Sequence, residues 1–412
     1  MKDLDEEKKE IPDGEPQDNP DNEIRKNLEG EGQDNPDGET EESVDGQPQD
    51  NPDGVGAAKK KAGGFKRKAL IITIAAITGL STAAVVGAKF GYDAAFGRYE
   101  RPDYALTAGA YCYSRTRGLE RELRSFYSDG VKLQGYYYRA QDPKGLTVVC
   151  HGIHAGADDY LPIIEYMVQA GYSVFSFDYK GTYDSDGDST VGMCESLVDL
   201  DHALDYLESL SEFDNLPITL IGHSWGGYAA ASVLSLHKRV ASCATIAAPN
   251  NGYTLILEKG EQYGGQLASK GIPEIFLNAY QKILFGKYTK YDGVKGINGT
   301  DIPVLIAHGE SDGTIDIRYQ AIYAHKNEIR KNNVQYYRAT GAQNGHNTVW
   351  HSKESALYQK SLESKIKEVK KSKTMTYEEK VAFFEGIDHR LYSEVNAELF
   401  EKIVEMFDSV CV

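Results

Sequence analysis

The sequence predicts a three-layer α/β/α sandwich with a mostly parallel sheet over residues 120–412. Short apolar, β-branched segments typical of buried strands alternate there with helical segments. This alternation is typical of a parallel sheet covered by helices on both faces. A hairpin that turns at Asp129-Gly130 precedes it. Residues 250–300 interrupt it, and we expect them to form a cap over the substrate pocket. The predicted flanking helices lie near residues 160–170, 197–207 and 225–236.

One serine lies in a strand–turn–helix segment. Ser224 is the centre of Gly222-His223-Ser224-Trp225-Gly226, which follows an apolar strand and precedes an alanine-rich helix. The two glycines make room for a sharp turn, because a β-carbon at either position would collide with the backbone. We therefore expect the Ser224 hydroxyl to be presented at the positive end of a helix, where a nucleophile can be activated.

A serine nucleophile needs a base and an acid that orients the base, and the chain order in this architecture is serine, acid, histidine. Asp312 follows the predicted strand 303–307, and His346 lies on the loop after the predicted strand 334–339. Because the carboxyl ends of parallel strands share one edge of the sheet, both loops can meet at Ser224.

Other residues compete for these two roles. Glu310 and Asp316 are alternatives to Asp312 as the acid. His223 is expected to point away from the nucleophile, while His351 and His389 are expected to be exposed. The remaining histidines near strand ends are His151, His154 and His308.

An acyl-transfer site also needs two backbone amides that bind the oxyanion. One is predicted at Trp225, directly after the serine. The second is predicted at Ile153, because Gly152 allows the chain to turn inward after the strand 146–150.

These segments resemble the α/β-hydrolase family, in its lipase, esterase and serine-aminopeptidase-like branch. The resemblance extends from about residue 120 to the C-terminus and rests on His151-Gly152, Asp178-Tyr179-Lys180-Gly181, Gly222-His223-Ser224-Trp225-Gly226-Gly227, His308-Gly309-Glu310-Ser311-Asp312 and Gly345-His346-Asn347. It implies Ser224 as nucleophile, Asp312 as orienting acid and His346 as base, with Ile153 and Trp225 as oxyanion donors. The chain departs from the family pattern after the base, where a charged segment predicts extra helices at about 352–391.

Residues 1–58 form a different kind of polymer. They contain 20 Asp and Glu against five Lys and Arg and no aromatic residue, and Gln-Asp-Asn-Pro-Asp recurs in them every 16 residues. Such a segment cannot bury enough apolar surface to offset the entropy of ordering, so we expect a disordered acidic tail. Weak cation binding or a docking role is the alternative.

Residues 59–88 predict a signal anchor. A basic cluster, 59–68, precedes 69–88, which carry no charge and as a helix would span about 30 Å, the thickness of a bilayer core. The positive-inside rule places the N-terminus in the cytoplasm and the hydrolase domain on the other side of the cell membrane. Residues 89–119 would then be a juxtamembrane connector. Cleavage after Ala88 by a signal peptidase is the open alternative.

The sequence therefore predicts a membrane-tethered serine hydrolase that cleaves an ester through an acyl-enzyme. A peptidase and an acyltransferase remain open because one triad serves all three, and a non-catalytic binding or scaffold protein is the alternative of another class. We expect no cofactor, metal or nucleic-acid partner. The loop Asp184–Glu195 has calcium-like acidic spacing, but Ser189 stands where the turn glycine belongs. The five cysteines form no disulfide framework.

Overall fold

The computed structural model describes residues 58–109, 116, 118–237 and 239–411. The side chains at 58–72, 74, 76, 77 and 268 are outside this description. The predicted acidic tail, residues 1–58, lies outside the described residues except for its last position. The chain divides into two compact units, Met1–Arg67 and Lys68–Val412, and the sheet belongs to the second.

A central sheet of eight strands organises the second unit. The strands are β1 (Arg121–Ser128), β2 (Val131–Tyr138), β3 (Leu146–Cys150), β4 (Ser173–Phe177), β5 (Ile218–His223), β6 (Val240–Ile246), β7 (Val304–Gly309) and β8 (Val334–Ala339). Their spatial order is β1-β2-β4-β3-β5-β6-β7-β8. The pairs β1·β2 and β2·β4 are antiparallel, and the other neighbours are parallel, so the sheet is mostly parallel as predicted.

Helices occupy most of the connections between strands. The described α-helices are α1 (Ala58–Ala95), α2 (Leu161–Gln169), α3 (Glu195–Glu208), α4 (Trp225–Ser232), α5 (Gly252–Gly264), α6 (Gln266–Ser269), α7 (Ile272–Phe285), α8 (Gly293–Asn298), α9 (Lys353–Lys371), α10 (Tyr377–Glu385), α11 (His389–Tyr392) and α12 (Ala397–Asp408). Helices α5 to α8 lie between β6 and β7, within the range predicted for the cap. Helices α9 to α11 follow His346, in the range where the sequence predicts an extra helical segment.

The two faces of the sheet carry two separate hydrophobic cores. Val148 of β3 belongs to one core and Val149 to the other, and Leu220 and Ile221 of β5 divide in the same way. Successive side chains of a strand point to opposite faces, which explains this division. Helices α3, α4 and α8 contribute to the first core, and α2 and α12 to the second. The result is the predicted three-layer α/β/α sandwich.

The predicted hairpin joins β1 to β2. Asp129 and Gly130 have φ angles of 45° and 80°, so both turn residues adopt the left-handed conformation. Two such residues match the right-handed twist of the flanking strands, and Asp-Gly is a favoured pair for this turn. The hairpin extends the sheet at the edge opposite β8.

Helix α1 is longer at both ends than the segment 69–88 that the sequence predicts to cross a membrane. Among the described residues, no helix is long and apolar enough to span a bilayer. The structure therefore does not support the predicted transmembrane helix. Positions 69–72, 74, 76 and 77 of that segment are among those whose side chains are outside the description.

The C-terminal end of α1 and the residues after it pack against the sheet domain. Tyr92 and Phe96 are buried in the first core. The Arg101 guanidinium forms an ion pair with the buried carboxylate of Asp158 and lies 2.6 Å from a carboxylate oxygen of Asp184. These ion pairs join the predicted connector to the domain.

Candidate active site

Ser224 occupies a strained turn between β5 and α4. Its φ and ψ angles are 54° and −118°, a conformation that residues other than glycine rarely adopt. A β-carbon on Gly226 would lie 2.2 Å from the carbonyl oxygen of Cys150, and one on Gly222 would lie 2.3 Å from the carbonyl oxygen of Gly226. The amide of Ser224 donates to the Ile246 carbonyl at 2.8 Å. The two glycines thus allow the close approach of backbone that holds the serine in place.

Ser224, His346 and Asp312 form a continuous hydrogen-bonded chain. Nε2 of His346 lies 2.9 Å from Oγ of Ser224, and Nδ1 of His346 lies 2.7 Å from Oδ2 of Asp312. An ionised carboxylate can only accept, so Nδ1 carries the ring proton and Nε2 is left to accept the serine proton. The three side chains that the sequence analysis selected therefore meet, in the relative roles that proton transfer from the serine requires.

Asp312 is held as a carboxylate by four donors. Its Oδ1 accepts from the amides of Thr314 and Ile315, both at 2.8 Å. Its Oδ2 lies 3.2 Å from Nε2 of His308 in addition to its contact with His346. Burial opposes ionisation of Asp312, but the hydrogen bonds from His308 and His346 outweigh it and hold its pKa well below the ordinary value. His308 is a partner of the acid that the sequence analysis did not assign.

The loop after β3 approaches Ser224 through Gly152. A β-carbon on Gly152 would lie 3.0 Å from the Tyr160 hydroxyl and 3.4 Å from the β-carbon of Ser224, so this position packs closely against the serine turn. Nε2 of His151 accepts from the amide of Tyr179 at 3.1 Å, which leaves Nδ1 to donate to the Gly152 carbonyl at 2.7 Å. Burial lowers the pKa of His151 to about 4, in keeping with a neutral ring.

That contact fixes the orientation of one peptide plane. The carbonyl of Gly152 and the amide of Ile153 belong to the same trans peptide and point in opposite directions. His151 holds the carbonyl, so it also sets the direction of the Ile153 amide. The other predicted donor, the Trp225 amide, belongs to the first residue of α4, where backbone N–H groups have no partner within the helix.

His223 contacts both the loop after β3 and the backbone of His346. The Tyr160 hydroxyl accepts from the Gly152 amide at 2.9 Å and lies 2.6 Å from Nδ1 of His223. Nε2 of His223 lies 3.1 Å from the carbonyl oxygen of His346. His223 does not contact the serine hydroxyl, as expected, but it binds the backbone of the base. Burial first, and then the neighbouring His346, lower the pKa of His223 to about 3.

Part of the chain matches a known protein family. Residues 141–294 match the model of the serine aminopeptidase S33 family. The match supports the α/β-hydrolase family. An uncharacterised protein of Salmonella typhi, YfhR, is 24% identical over 228 residues, which are 53% of this chain and 74% of the relative. A proline iminopeptidase of Saccharolobus solfataricus is 30% identical over 126 residues, 30% of this chain and 37% of that protein.

The chain is also similar to solved structures. The Pyrococcus furiosus esterase Pf2001 aligns with a TM-score of 0.46 at 18% identity, covering 66% of this chain and 97% of the esterase. The mostly parallel eight-stranded sheet fits the α/β-hydrolase fold. The family match supports a hydrolase.

The competing acids and several of the other histidines have partners outside the chain of Ser224, His346 and Asp312. Glu310 pairs with Arg338 at 2.8 Å, and Asp316 pairs with Arg318 at 2.6 Å. The prediction that His351 is exposed is wrong, because its ring is almost completely buried and lies tilted against Trp350 at a centroid distance of 3.7 Å. His389 is half-buried, and its Nδ1 lies 2.7 Å from the Ala108 carbonyl. His154 is close to the end of α1, with Nε2 3.3 Å from the Ala95 carbonyl.

In the loop Asp184–Glu195, which has calcium-like acidic spacing, a lysine contacts the carboxylate at the last acidic position. Glu195, its last acidic position, forms a buried ion pair with Lys180. Asp199, one turn further along α3, accepts from the backbone amide of Lys180 at 2.8 Å. Burial raises the pKa of Glu195 to about 7 and that of Asp199 to about 6. The side chain of Glu195 is thus engaged with a lysine.

A cavity of about 860 Å³ lies beside the loop that carries Asp312. Residues of α5 and α7 line one side of it, and Gly313 and Thr314, which follow Asp312, line the other. Four carboxylates border it, those of Glu258, Glu261, Glu274 and Asp316. The cavity therefore adjoins the loop that carries Asp312.

Proposed function

We propose that this protein is a serine hydrolase that cleaves an ester through a covalent acyl-enzyme. The observation that carries the proposal is the position of His346, which lies within hydrogen-bonding distance of both Ser224 Oγ and Asp312 Oδ2. A base that contacts the nucleophile and is oriented by an acid is the arrangement that makes a serine reactive. The family match supports the same reaction class.

In the first step, Nε2 of His346 takes the proton of Ser224 as Oγ attacks the carbonyl carbon of the ester. The resulting oxyanion accepts from the amides of Ile153 and Trp225. The imidazolium gives the proton to the leaving alcohol as the carbon–oxygen bond breaks, which leaves the acyl group on Ser224. Asp312 stabilises the imidazolium while it exists.

The second step repeats this exchange with water. His346 takes a proton from the water as the water oxygen attacks the acyl carbon, and it returns that proton to Ser224 Oγ as the acid product leaves. His151 and Tyr160 hold the loop of the Ile153 amide throughout. Donors that are already oriented cost no reorganisation in the transition state, and each contributes about 3 kcal/mol.

A peptidase is the second candidate. The matched family is described as serine aminopeptidases, and one relative is named a proline iminopeptidase. The same Ser224, His346 and Asp312 would serve amide hydrolysis, with the leaving amine in place of the alcohol. An acyltransferase would differ only in the acceptor of the second step. A binding or scaffold protein is disfavoured by the complete hydrogen-bonded set.

Kinetics on the full chain test the proposal. We expect p-nitrophenyl esters to give a burst of p-nitrophenol equal to the enzyme concentration, followed by slower turnover, if the acyl-enzyme accumulates. Aminoacyl naphthylamides tested in parallel distinguish a peptidase, and added alcohols distinguish an acyltransferase. Ser224→Ala is the matched control. A folded wild-type protein that turns over neither ester nor amide would exclude all three enzymes.

We also propose that residues 69–88 tether the hydrolase to the cell membrane, with the domain on the extracytoplasmic side. The support is sequence alone, namely an uncharged segment preceded by a basic cluster. In intact cells, added protease should degrade the domain and spare the N-terminal tail. Full-length protein in the soluble fraction would contradict the tether, whereas a released form that begins after Ala88 would indicate cleavage.

A further inference from the structure

Helix α7 of the cap exposes an aliphatic stripe. Ile272, Ile275, Ala279 and Ile283 recur at intervals of three or four residues, so they share one face of the helix. Ile275 and Ile283 are 72% and 80% exposed, and Leu267 on the neighbouring α6 is 91% exposed. These residues are called the cap stripe below.

The other face of α7 is already buried. Leu277, Gln281 and Phe285 pack into the domain, so the cap stripe is not the face that attaches α7 to the fold. A helix that is apolar on both faces needs a second apolar environment. Outside α1 and the cap, the large exposed aliphatic side chains among the described residues are Leu123 and Leu357. Exposed aliphatic surface is therefore concentrated in one region of the described surface.

The position of α1 favours a lipid bilayer as that environment. Tyr92 of α1 contacts Tyr280 of α7 with ring centroids 5.4 Å apart, and Nζ of Lys89 lies 5.6 Å from the Tyr280 ring. Tyr92 is four residues beyond Ala88, the end of the uncharged segment, which is about 6 Å along a helix. A bilayer that held this segment would meet α7 at its surface.

The charges near the cap stripe favour the same partner. Helix α7 carries Lys282 next to Ile283, and Lys290 follows the helix. Lys287, between them, lies 3.9 Å from a carboxylate oxygen of Asp201. Glu274, near the N-terminal end, is the carboxylate of α7 itself. An apolar helical face with lysines beside it is typical of helices that lie in the membrane interface, where the lysines meet anionic headgroups.

We propose that the cap stripe docks onto an anionic phospholipid bilayer and holds the cap of the tethered domain against the membrane surface. The inference rests on the proposed tether, not on the proposed chemistry. A second copy of the chain, the other apolar partner that would cover such a face, is an outcome of the test.

The test places a fluorophore on the cap stripe of the full chain. Ile275→Cys is labelled, with Leu123→Cys as the control, because Leu123 is similarly exposed on the edge strand β1. Cys112 is replaced by serine in every variant, and the cysteines at 150, 194, 243 and 411 are buried. The proteins are mixed with vesicles of equal parts phosphatidylcholine and phosphatidylglycerol, with and without brominated acyl chains.

Docking predicts that the protein floats with the vesicles and that bromine quenches the label at 275 but not the label at 123. Ile283→Asp should abolish that quenching without releasing the protein. Flotation with neither label quenched would overturn docking and keep the tether, and no flotation would overturn both. Disulfide-linked dimers of unlabelled Ile275→Cys would assign the stripe to a second copy and would also overturn docking.

Discussion

The hydroxyl of Tyr160 lies 2.6 Å from Nδ1 of His223, and this contact links the oxyanion loop to the base. The His346 carbonyl can only accept, so the neutral ring of His223 carries its proton on Nε2 and donates it there. Nδ1 of His223 then accepts from the Tyr160 hydroxyl, which itself accepts from the Gly152 amide. A single buried chain of hydrogen bonds therefore positions both loops that face Ser224.

Tyr160→Phe should slow catalysis although Tyr160 touches no reacting atom. It leaves the Gly152 amide and His223 Nδ1 without partners, at a cost of about 1–3 kcal/mol for each buried group. We expect kcat for p-nitrophenyl esters to fall at least about tenfold, equivalent to about 1.4 kcal/mol of barrier, with a smaller change in KM. Tyr166→Phe, on α2, is the control and should retain activity. An unchanged kcat in a folded Tyr160→Phe protein would reject the positioning role.

Asp312→Asn should disable the base while preserving the shape of the acid. An amide in place of the carboxylate allows His346 to carry its proton on Nε2, where it cannot accept from Ser224. We expect kcat to fall by roughly 10⁴-fold, on the scale seen when such an acid is neutralised. Glu310→Gln, on the same loop, removes a carboxylate that pairs with Arg338 and should change kcat little. Equal losses in the two variants would argue against Asp312 as the acid.

Gly226→Ala should destroy the serine turn. The added β-carbon would lie 2.2 Å from the Cys150 carbonyl oxygen, and that backbone cannot move without displacing the oxyanion loop. We expect a loss of at least about 1–3 kcal/mol in the free energy of unfolding, as for an overpacked core, together with loss of esterase activity. Gly313→Ala places its β-carbon in open space beside Asp312 and is the matched control. Wild-type activity in Gly226→Ala would show that the turn tolerates a side chain.

His223→Gln should change how stability depends on pH. The pKa of His223 is lowered to about 3 in the folded state, against an unfolded value near 6.5. Below about pH 6.5, His223 therefore binds a proton in the unfolded chain but stays neutral in the folded chain. The contribution of His223 to stability is present above that pH and is lost as the pH falls. Between pH 7.5 and 5 the wild type should lose about 2 kcal/mol relative to the variant. Urea unfolding at both pH values measures this, and a constant difference would contradict it.

That Ser224, Asp312 and His346 lie close together could be predicted, because the position of each residue depends on its local sequence. Small residues mark the serine turn, and apolar strands end just before the two other loops. The parallel sheet then brings the loops to one edge. The three-layer order followed from the same alternation of strands and helices. The catalytic roles themselves remain predictions.

The supporting contacts could not be predicted in this way. Tyr160 and His223 are 63 residues apart, and their contact depends on how the segment just before α2 packs against the end of β5. The polar segment around His351 predicts an exposed ring, but the ring is buried and contacts Trp350. Such contacts depend on side-chain directions in the assembled fold, which periodicity does not specify.

Covalent labelling of Ser224 tests the central claim most directly. The full-length protein is treated with a fluorophosphonate, digested and mapped by mass spectrometry, alongside Ser224→Ala. We predict one phosphonylated peptide that carries the modification on Ser224, no adduct in Ser224→Ala, and much slower labelling of Asp312→Asn. A folded wild-type protein that remains unlabelled, or one modified at another residue while Ser224→Ala retains esterase activity, would contradict the account.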